Sequence, residues 1–172
     1  MQNSTEQPGR STTAPRLLAV FDLDGTLADI RHREHHLRRS PKDWDAFFRA
    51  ARSDPPLPTG VALLRESAKD CDIAYVSGRP ERCRADTLAW LKEHDLPAGE
   101  LVLRADRDHA PARVVKPAML RRLARDRVVA VVVDDDDAVC AAYERAGWPV
   151  LRAGWAADSP ALEQAQEVDG RT

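Results

Sequence analysis

The apolar run Leu17-Leu18-Ala19-Val20 ends in Phe21-Asp22-Leu23-Asp24-Gly25-Thr26, and no other segment restricts the fold so strongly. A continuous apolar run, with no polar alternation, reads as a strand buried on both faces in a parallel sheet. Ligands of such sheets bind just beyond the carboxyl ends of the strands. Side chains two apart on an extended chain point the same way, so Asp22 and Asp24 project into one pocket. Two carboxylates at one strand tip repel each other and need a cation, a proton, or both. Gly25 gives the backbone freedom to turn sharply away.

The rest of the chain supplies the other layers. Asp29 to Arg39 reads as a short charged helix. Ser40-Pro41-Lys42-Asp43 reads as a helix start with Ser40 as cap. Trp44, Phe47, Phe48 and Ala51 recur behind it at helical spacing until Pro55-Pro56 stops the helix. Thr59 is placed to cap a third helix with Val61, Leu64 and Ala68 inward. Strands over Asp72 to Val76, Leu101 to Leu103, Val128 to Val133 and Pro149 to Leu151 then alternate with helices. Those helices are expected over Pro80 to Glu93, Lys116 to Asp126 and Ala138 to Ala146. Such alternation specifies an α/β fold, a doubly wound, Rossmann-like, mainly parallel sheet. Residues 28–58 form a small helical insertion placed to cover the pocket. Residues 1–15 are polar and read as a disordered tail, residues 16–156 as the folded domain. Residues 157–172 read as a C-terminal tail able to hold one weak helix before fraying.

At 172 residues, 43% hydrophobic and 31% charged, the chain has the composition of one soluble domain. A formal net charge of -2 gives no support to a wholly basic nucleic-acid surface. Cys71, Cys83 and Cys140 are scattered and odd in number, which fits a reducing cytoplasm better than a disulfide framework. No apolar stretch is long enough to span a bilayer.

Three further places fall at the same rim. Ser77 ends the second strand, and Pro80 in the first turn of a helix leaves the amides around Gly78 and Arg79 as an anion site. Lys116 near a helix start is disfavoured by the helix dipole, which points to another role. Asp134 and Asp135 follow a wholly apolar strand and can complete an oxygen-only site with Asp22, a set that suits Mg²⁺. Asp136 and Asp137 read as a helix cap. His32 and His36 share a helical face, but an exposed polar helix explains them better than a metal site. The Trp44, Phe47 and Phe48 face reads as core packing rather than a base-stacking platform.

Together, Asp22-Leu23-Asp24-Gly25-Thr26, Ser77, Lys116 and Asp134-Asp135 resemble the four motifs of the haloacid dehalogenase (HAD) superfamily of phosphatases. The resemblance spans roughly Leu17 to Gly154. It is nearest to the 3′-phosphatase domain of bacteriophage-type polynucleotide kinase/phosphatases, through Ala28-Asp29-Ile30, His32-Arg33, Lys42 to Phe48, Ser77 to Glu81 and Val114-Val115-Lys116. It implies an HAD-type fold with Asp22 as nucleophile and Asp24 as acid/base. Mg²⁺ would be held by Asp22, the Asp24 carbonyl and Asp134-Asp135, with Asp135 preferred as direct ligand. Ser77 and Lys116 would hold phosphoryl oxygens. Thr26, Arg33, Gly78 and Arg79 would contact substrate.

Two places depart from those relatives. No Gly-x-x-x-x-Gly-Lys-Ser/Thr occurs, so no kinase half is expected in these residues. Relatives carry an acidic residue four positions before the lysine and often an arginine two positions earlier, where this chain has Ala112 and Ala110. Asp106, Arg107, Asp108 and Arg113 are the charged residues near enough to compensate. The expected function is a cytoplasmic, Mg²⁺-dependent phosphomonoesterase for nucleic-acid 3′-phosphate ends or nucleotides. The alternatives are a phosphatase for a small phosphorylated metabolite and, in another class, a phosphoacceptor or binding module without turnover. Asp24 separates the last, because a signalling module has no use for an acid/base there.

Overall fold

All five apolar runs form strands, and all of them pair in parallel. The computed structural model describes residues 16–156 and 159–171; the tail expected over 1–15 lies outside the described residues. Strands β1 (Leu17–Phe21), β2 (Cys71–Pro80), β3 (Gly99–Arg104), β4 (Val129–Asp134) and β5 (Val150–Arg152) make one sheet in the order β3-β2-β1-β4-β5. The chain leaves β1 toward β2 and β3, then returns to β4 on the other side of β1. This reversal opens a crevice between the tips of β1 and β4, where ligands of such sheets bind.

Helices cover both faces. Ala19, Phe21, Ile73 and Tyr75 pack with α2 (Pro58–Ser67) and α3 (Arg84–Glu93) through Leu64, Trp90 and Leu91. Leu18, Val20, Ala74 and Val76 pack on the opposite face. There they meet α4 (Ala112–Leu123) and α5 (Asp137–Arg145) through Val115, Leu120, Val139 and Tyr143. Strands buried from both sides explain why their sequences are runs rather than alternations.

Between β1 and α2 the chain leaves and returns on a narrow stem. The Asp29 amide donates to the Pro55 carbonyl at 2.8 Å, and the Leu57 amide to Leu27 at 2.7 Å. The expected helix over Asp29 to Arg39 is shorter, a 3₁₀ turn at Arg31–His36. Helix α1 (Trp44–Ala50) starts after Asp43, whose carboxylate accepts the Ala46 amide at 2.9 Å, so Ser40 is not its cap. Likewise α2 opens on Pro58 rather than behind Thr59, since Pro58 presets the first helical turn.

Two other boundaries move with consequences. β2 continues to Pro80, and a 3₁₀ turn at Glu81–Cys83 precedes α3. Gly78 and Arg79 are therefore strand residues, and the expected helix-terminal anion site is not formed there. Helix α4 begins at Ala112, so Lys116 lies a turn inside it, fully buried.

The C-terminal stretch, expected to hold one weak helix, holds one that is packed against the rest of the domain. Ser159 caps a helix, α6 (Pro160–Glu167), its Oγ accepting the Leu162 amide at 3.2 Å. Leu162 and Ala165 are buried against Ile30, Leu37, Phe47, Phe48 and Cys83. Arg113 pairs with Glu167 at 2.8 Å, Lys42 with Asp169, and Arg104 donates to the Gly170 carbonyl at 2.9 Å. A helix of eight residues is marginal in isolation, so its order comes from packing that a local reading of sequence does not reveal. Leu162→Ala is expected to lower unfolding free energy by about 2–4 kcal/mol. Val168→Ala, at a 74% exposed position, should change it by less than about 0.5 kcal/mol in the same denaturant titration.

Candidate active site

Parallel pairing of β1 with β4 sets two acidic strand tips side by side. The Asp22 amide donates to the Val133 carbonyl at 2.9 Å. One carboxylate oxygen from each of Asp22, Asp134 and Asp135 lies within 4.8 Å of the other two. Lys116 reaches the same group from α4, its Nζ 3.0 Å from Asp22 Oδ1 and 2.9 Å from Asp134 Oδ2. Asp22, Asp134 and Lys116 are buried, and Asp135 is half-buried. The close approach requires Gly25: it has φ +83°, and a Cβ there would lie 2.1 Å from Asp135 Oδ2. Thr26 completes this edge, its hydroxyl 3.4 Å from Asp135 Oδ1.

One ammonium does not balance three carboxylates in so dry a place. Burial raises Asp22 to about 7, with Lys116 opposing and Asp134 and Asp24 reinforcing. Burial, then Asp22 and Asp134, push Asp135 well above the usual carboxylate range. Lys116 is penalised by burial, yet Asp134 and Asp22 outweigh it and hold its pKa well above the ordinary value. Asp22 Oδ2 is buried without a hydrogen-bond partner. An orphaned oxygen among mutually repelling hard donors fits a divalent cation such as Mg²⁺.

Asp24 lies in a different environment. Its Oδ1 accepts Arg33 Nη2 at 2.8 Å, Arg79 Nε at 2.9 Å and Arg79 Nη2. Burial disfavours its charge, but Arg33 and Arg79 outweigh burial and hold the pKa at about 2. Its Oδ2 is buried with no partner. Asp54 shares these arginines, accepting Arg33 Nε at 2.7 Å, Arg33 Nη2 at 2.7 Å and Arg79 Nη2 at 2.9 Å. The two neighbouring aspartates, Asp22 and Asp24, are thus driven apart, one toward the proton and one toward the anion.

The residues expected from sequence therefore fall into two groups. Asp22, Asp134, Asp135, Lys116 and Thr26 surround the acidic cluster; Asp24, Arg33 and Arg79 form a buried ion network beside it. Arg33 and Arg79, expected to contact substrate, are buried and committed to Asp24 and Asp54. Ser77 is buried within β2, three residues before its end, its Oγ accepting the Arg79 amide at 3.2 Å. The Gly78 carbonyl accepts Arg104 Nε at 3.2 Å. His32 pairs with Asp54 rather than with His36, at 2.8 Å. The charged residues near α4 turn elsewhere: Arg113 to Glu167, and Asp106 to the Arg82 amide at 2.9 Å.

Sequence reasoning misses Asp54 and Trp155. Asp54 stands alone before two prolines, and nothing in its neighbourhood announces its partners. Trp155 donates from Nε1 to the Thr26 carbonyl at 2.9 Å, bracing the loop after β1. A cavity of ≈ 740 Å³ reaches Gly25 and Asp135, with Glu34 on its insertion side, Arg152 and Trp155 on its β5 side and Glu163 from α6.

The raised Asp22 pKa has a thermodynamic consequence in metal-free protein. Its folded value, about 7, exceeds the ordinary 3.8, so between those values the folded state holds a proton that the unfolded chain has released. This contribution to stability is present at acid pH and is lost as pH rises through about 7. In EDTA, Asp22→Asn should be more stable relative to wild type at pH 7 than at pH 5, measured by thermal unfolding. An equal difference at both pH values would contradict the assignment.

The sequence model of the family described as the polynucleotide kinase PNKP phosphatase domain matches residues 17–154. Among solved structures, the chain is similar to one in a Pnkp1/Rnl/Hen1 RNA repair complex, at 20% identity and TM-score 0.67, covering 88% of this chain and 46% of that one. A chain from another Pnkp1/Rnl/Hen1 complex gives 19% identity and TM-score 0.69, covering 92% and 52%. A class C acid phosphatase from Bacillus anthracis with tungstate bound gives 16% and 0.60, covering 90% and 78%. The chain thus spans about half the length of the chains it matches in those two complexes. No curated protein matches it. At these identities the solved structures speak for the fold, and the family model, which runs from β1 past β5, speaks for descent. The chain belongs to the PNKP phosphatase domain family of the HAD superfamily of phosphatases.

Proposed function

We propose that this protein is a Mg²⁺-dependent phosphomonoesterase that uses Asp22 as nucleophile, acting on the 3′-phosphate of a nucleic-acid end or nucleotide. The observation that carries the reading is the split between adjacent aspartates: Asp22 among Lys116, Asp134 and Asp135, and Asp24 pinned by one oxygen with the other free. Nucleophile and acid/base need such separate environments.

Asp22, the Asp24 backbone carbonyl, Asp135 and Asp134 would hold the ion. When bound, Mg²⁺ supplies positive charge to phosphoryl oxygens and keeps Asp22 ionised. The Asp22 carboxylate attacks phosphorus and forms an aspartyl-phosphate as the bond to the leaving oxygen breaks. Asp24 Oδ2 gives its proton to that oxygen, then takes one from the water that attacks the same phosphorus and releases phosphate. Free Asp24 is ionised; the negative phosphate arriving beside it opposes Arg33 and Arg79 and favours its protonation. Lys116 and Ser77 hold the phosphoryl oxygens and offset their charge. The free cysteines suit a reducing compartment such as the cytoplasm.

The matching family model supports a polynucleotide substrate. One observation favours a small phosphate ester instead. The cavity at Asp135 carries Glu34 and Glu163 on its walls, and those carboxylates repel a polyanionic strand more than a single phosphate. A phosphoacceptor without turnover is disfavoured by the free Oδ2 of Asp24.

Hydrolysis of a 3′-phosphorylated oligonucleotide should exceed that of a panel of small phosphoesters in kcat/KM. A large deficit on the oligonucleotide selects the small-ester reading. EDTA and Asp22→Asn should each abolish turnover of any substrate, and Asp24→Asn should reduce it roughly 10²–10⁴-fold. Mg²⁺ should raise the thermal midpoint of wild type and lose most of that effect in Asp135→Asn. The same rise in both would remove Asp135 from the site.

A further inference from the structure

Asp54 belongs to none of the motifs, yet its side chain is fully shielded from solvent. It terminates the insertion, directly before the stem residue Pro55. Both carboxylate oxygens are occupied. Oδ1 takes Arg33 Nε at 2.7 Å and His32 Nε2 at 2.8 Å, while Oδ2 takes Arg33 Nη2 at 2.7 Å and Arg79 Nη2 at 2.9 Å. Its main chain is fixed too, since Trp90 Nε1 donates to the Asp54 carbonyl at 2.8 Å. The residue is therefore clamped from the core helix α3 and in turn clamps two guanidinium groups.

Those guanidiniums meet at a single atom, Asp24 Oδ1. Arg33 comes from the insertion and Arg79 from β2, and the Nη2 of each is shared between Asp24 Oδ1 and Asp54 Oδ2, so among the described residues Asp54 is the one other carboxylate that pairs with both. Without it, two buried arginines would share one carboxylate, and either could rotate onto Asp24 Oδ2. With it, two positive and two negative side chains close a buried quartet, and Arg33 is gripped side-on through Nε and Nη2. A bidentate grip fixes the plane of the guanidinium. The outcome is that one Asp24 oxygen is saturated and the other stays free.

We infer that Asp54 is the positioning residue for the acid/base Asp24, acting through Arg33 and Arg79 to keep Asp24 Oδ2 turned to the reacting oxygen. This role rests on the phosphatase reading above, with Asp22 as nucleophile. Asp54 itself touches no reacting atom. It also couples the insertion to the chemistry, since an insertion displaced from the core would carry Asp54 and Arg33 away from Asp24.

The two half-reactions separate this role from a structural one. Attack by Asp22 on p-nitrophenyl phosphate needs no acid, because nitrophenolate leaves unprotonated. Attack on a nucleoside 3′-phosphate needs the Asp24 proton, and hydrolysis of the aspartyl-phosphate needs Asp24 as base. In Asp54→Asn, the full-length protein with Mg²⁺ should release a burst of about one equivalent of nitrophenolate at close to the wild-type rate, then turn over slowly. With the 3′-nucleotide it should show no burst and a kcat lowered roughly 10–100-fold, at little changed KM.

Uniform slowing of burst and nucleotide turnover, or no change in either, overturns the positioning role. Absence of nitrophenolate release in wild type, or its persistence in Asp22→Asn, overturns the underlying phosphatase reading instead. Should Asp54→Asn fail to fold, His32→Ala provides the test, because that side chain is 38% exposed and its loss empties no core. It should slow nucleotide turnover roughly threefold while sparing the burst, a small share of the general acid–base contribution. Wild-type behaviour on both substrates, or equal loss on both, overturns the proposal.

Discussion

The mutual repulsion of carboxylates at the tips of β1 and β4 is the constraint on which the rest of the site depends. Asp22, Asp134 and Asp135 are gathered by the parallel pairing of two strands, and that pairing is itself fixed by hydrophobic burial on both faces. The fold therefore stabilises a charge cluster that its own electrostatics oppose. Lys116 answers part of the repulsion from inside α4, and raised pKa values on Asp22 and Asp135 record the remainder. In the proposed reading a hard dication would complete such a set and turn repulsion of a phosphate dianion into attraction.

Asp24 shows the opposite solution to the same difficulty. Two residues from Asp22, it is matched by arginines rather than by a shared lysine, and the arginines are matched by Asp54. Buried ion networks contribute little to net stability once desolvation is counted, and removal of one member leaves the others uncompensated. Their use here is geometric. One oxygen of Asp24 is tied down, and the other is left buried without a partner.

Much of this was legible in the sequence because apolar runs and short motifs are local signals. The runs Leu17 to Val20 and Val128 to Val133 read as buried strands, and the acidic residues that follow them, Asp22, Asp134 and Asp135, fall at neighbouring strand tips. Boundaries were less legible. β2 continues to Pro80 because it pairs with β3 past Ser77, and that partner strand is remote in sequence. Lys116 was expected at a helix start, whereas α4 begins a turn earlier at Ala112. Asp54 was invisible, since its importance comes from Arg33 and Arg79 converging on it, and neither convergence has a sequence pattern. The C-terminal stretch reads as one weak helix in a tail, and nothing local in it announces the contacts of α6 with the insertion and with Arg113.

The central claim is that Asp22 carries the phosphoryl group between substrate and water. Acid quenching of the enzyme during steady turnover of p-nitrophenyl phosphate, followed by mass spectrometry of its peptides, tests it directly. The expected result is one phosphoryl group on the peptide spanning β1, localised to Asp22. A phosphoryl group on another residue, or undiminished turnover with none detected, would contradict the account.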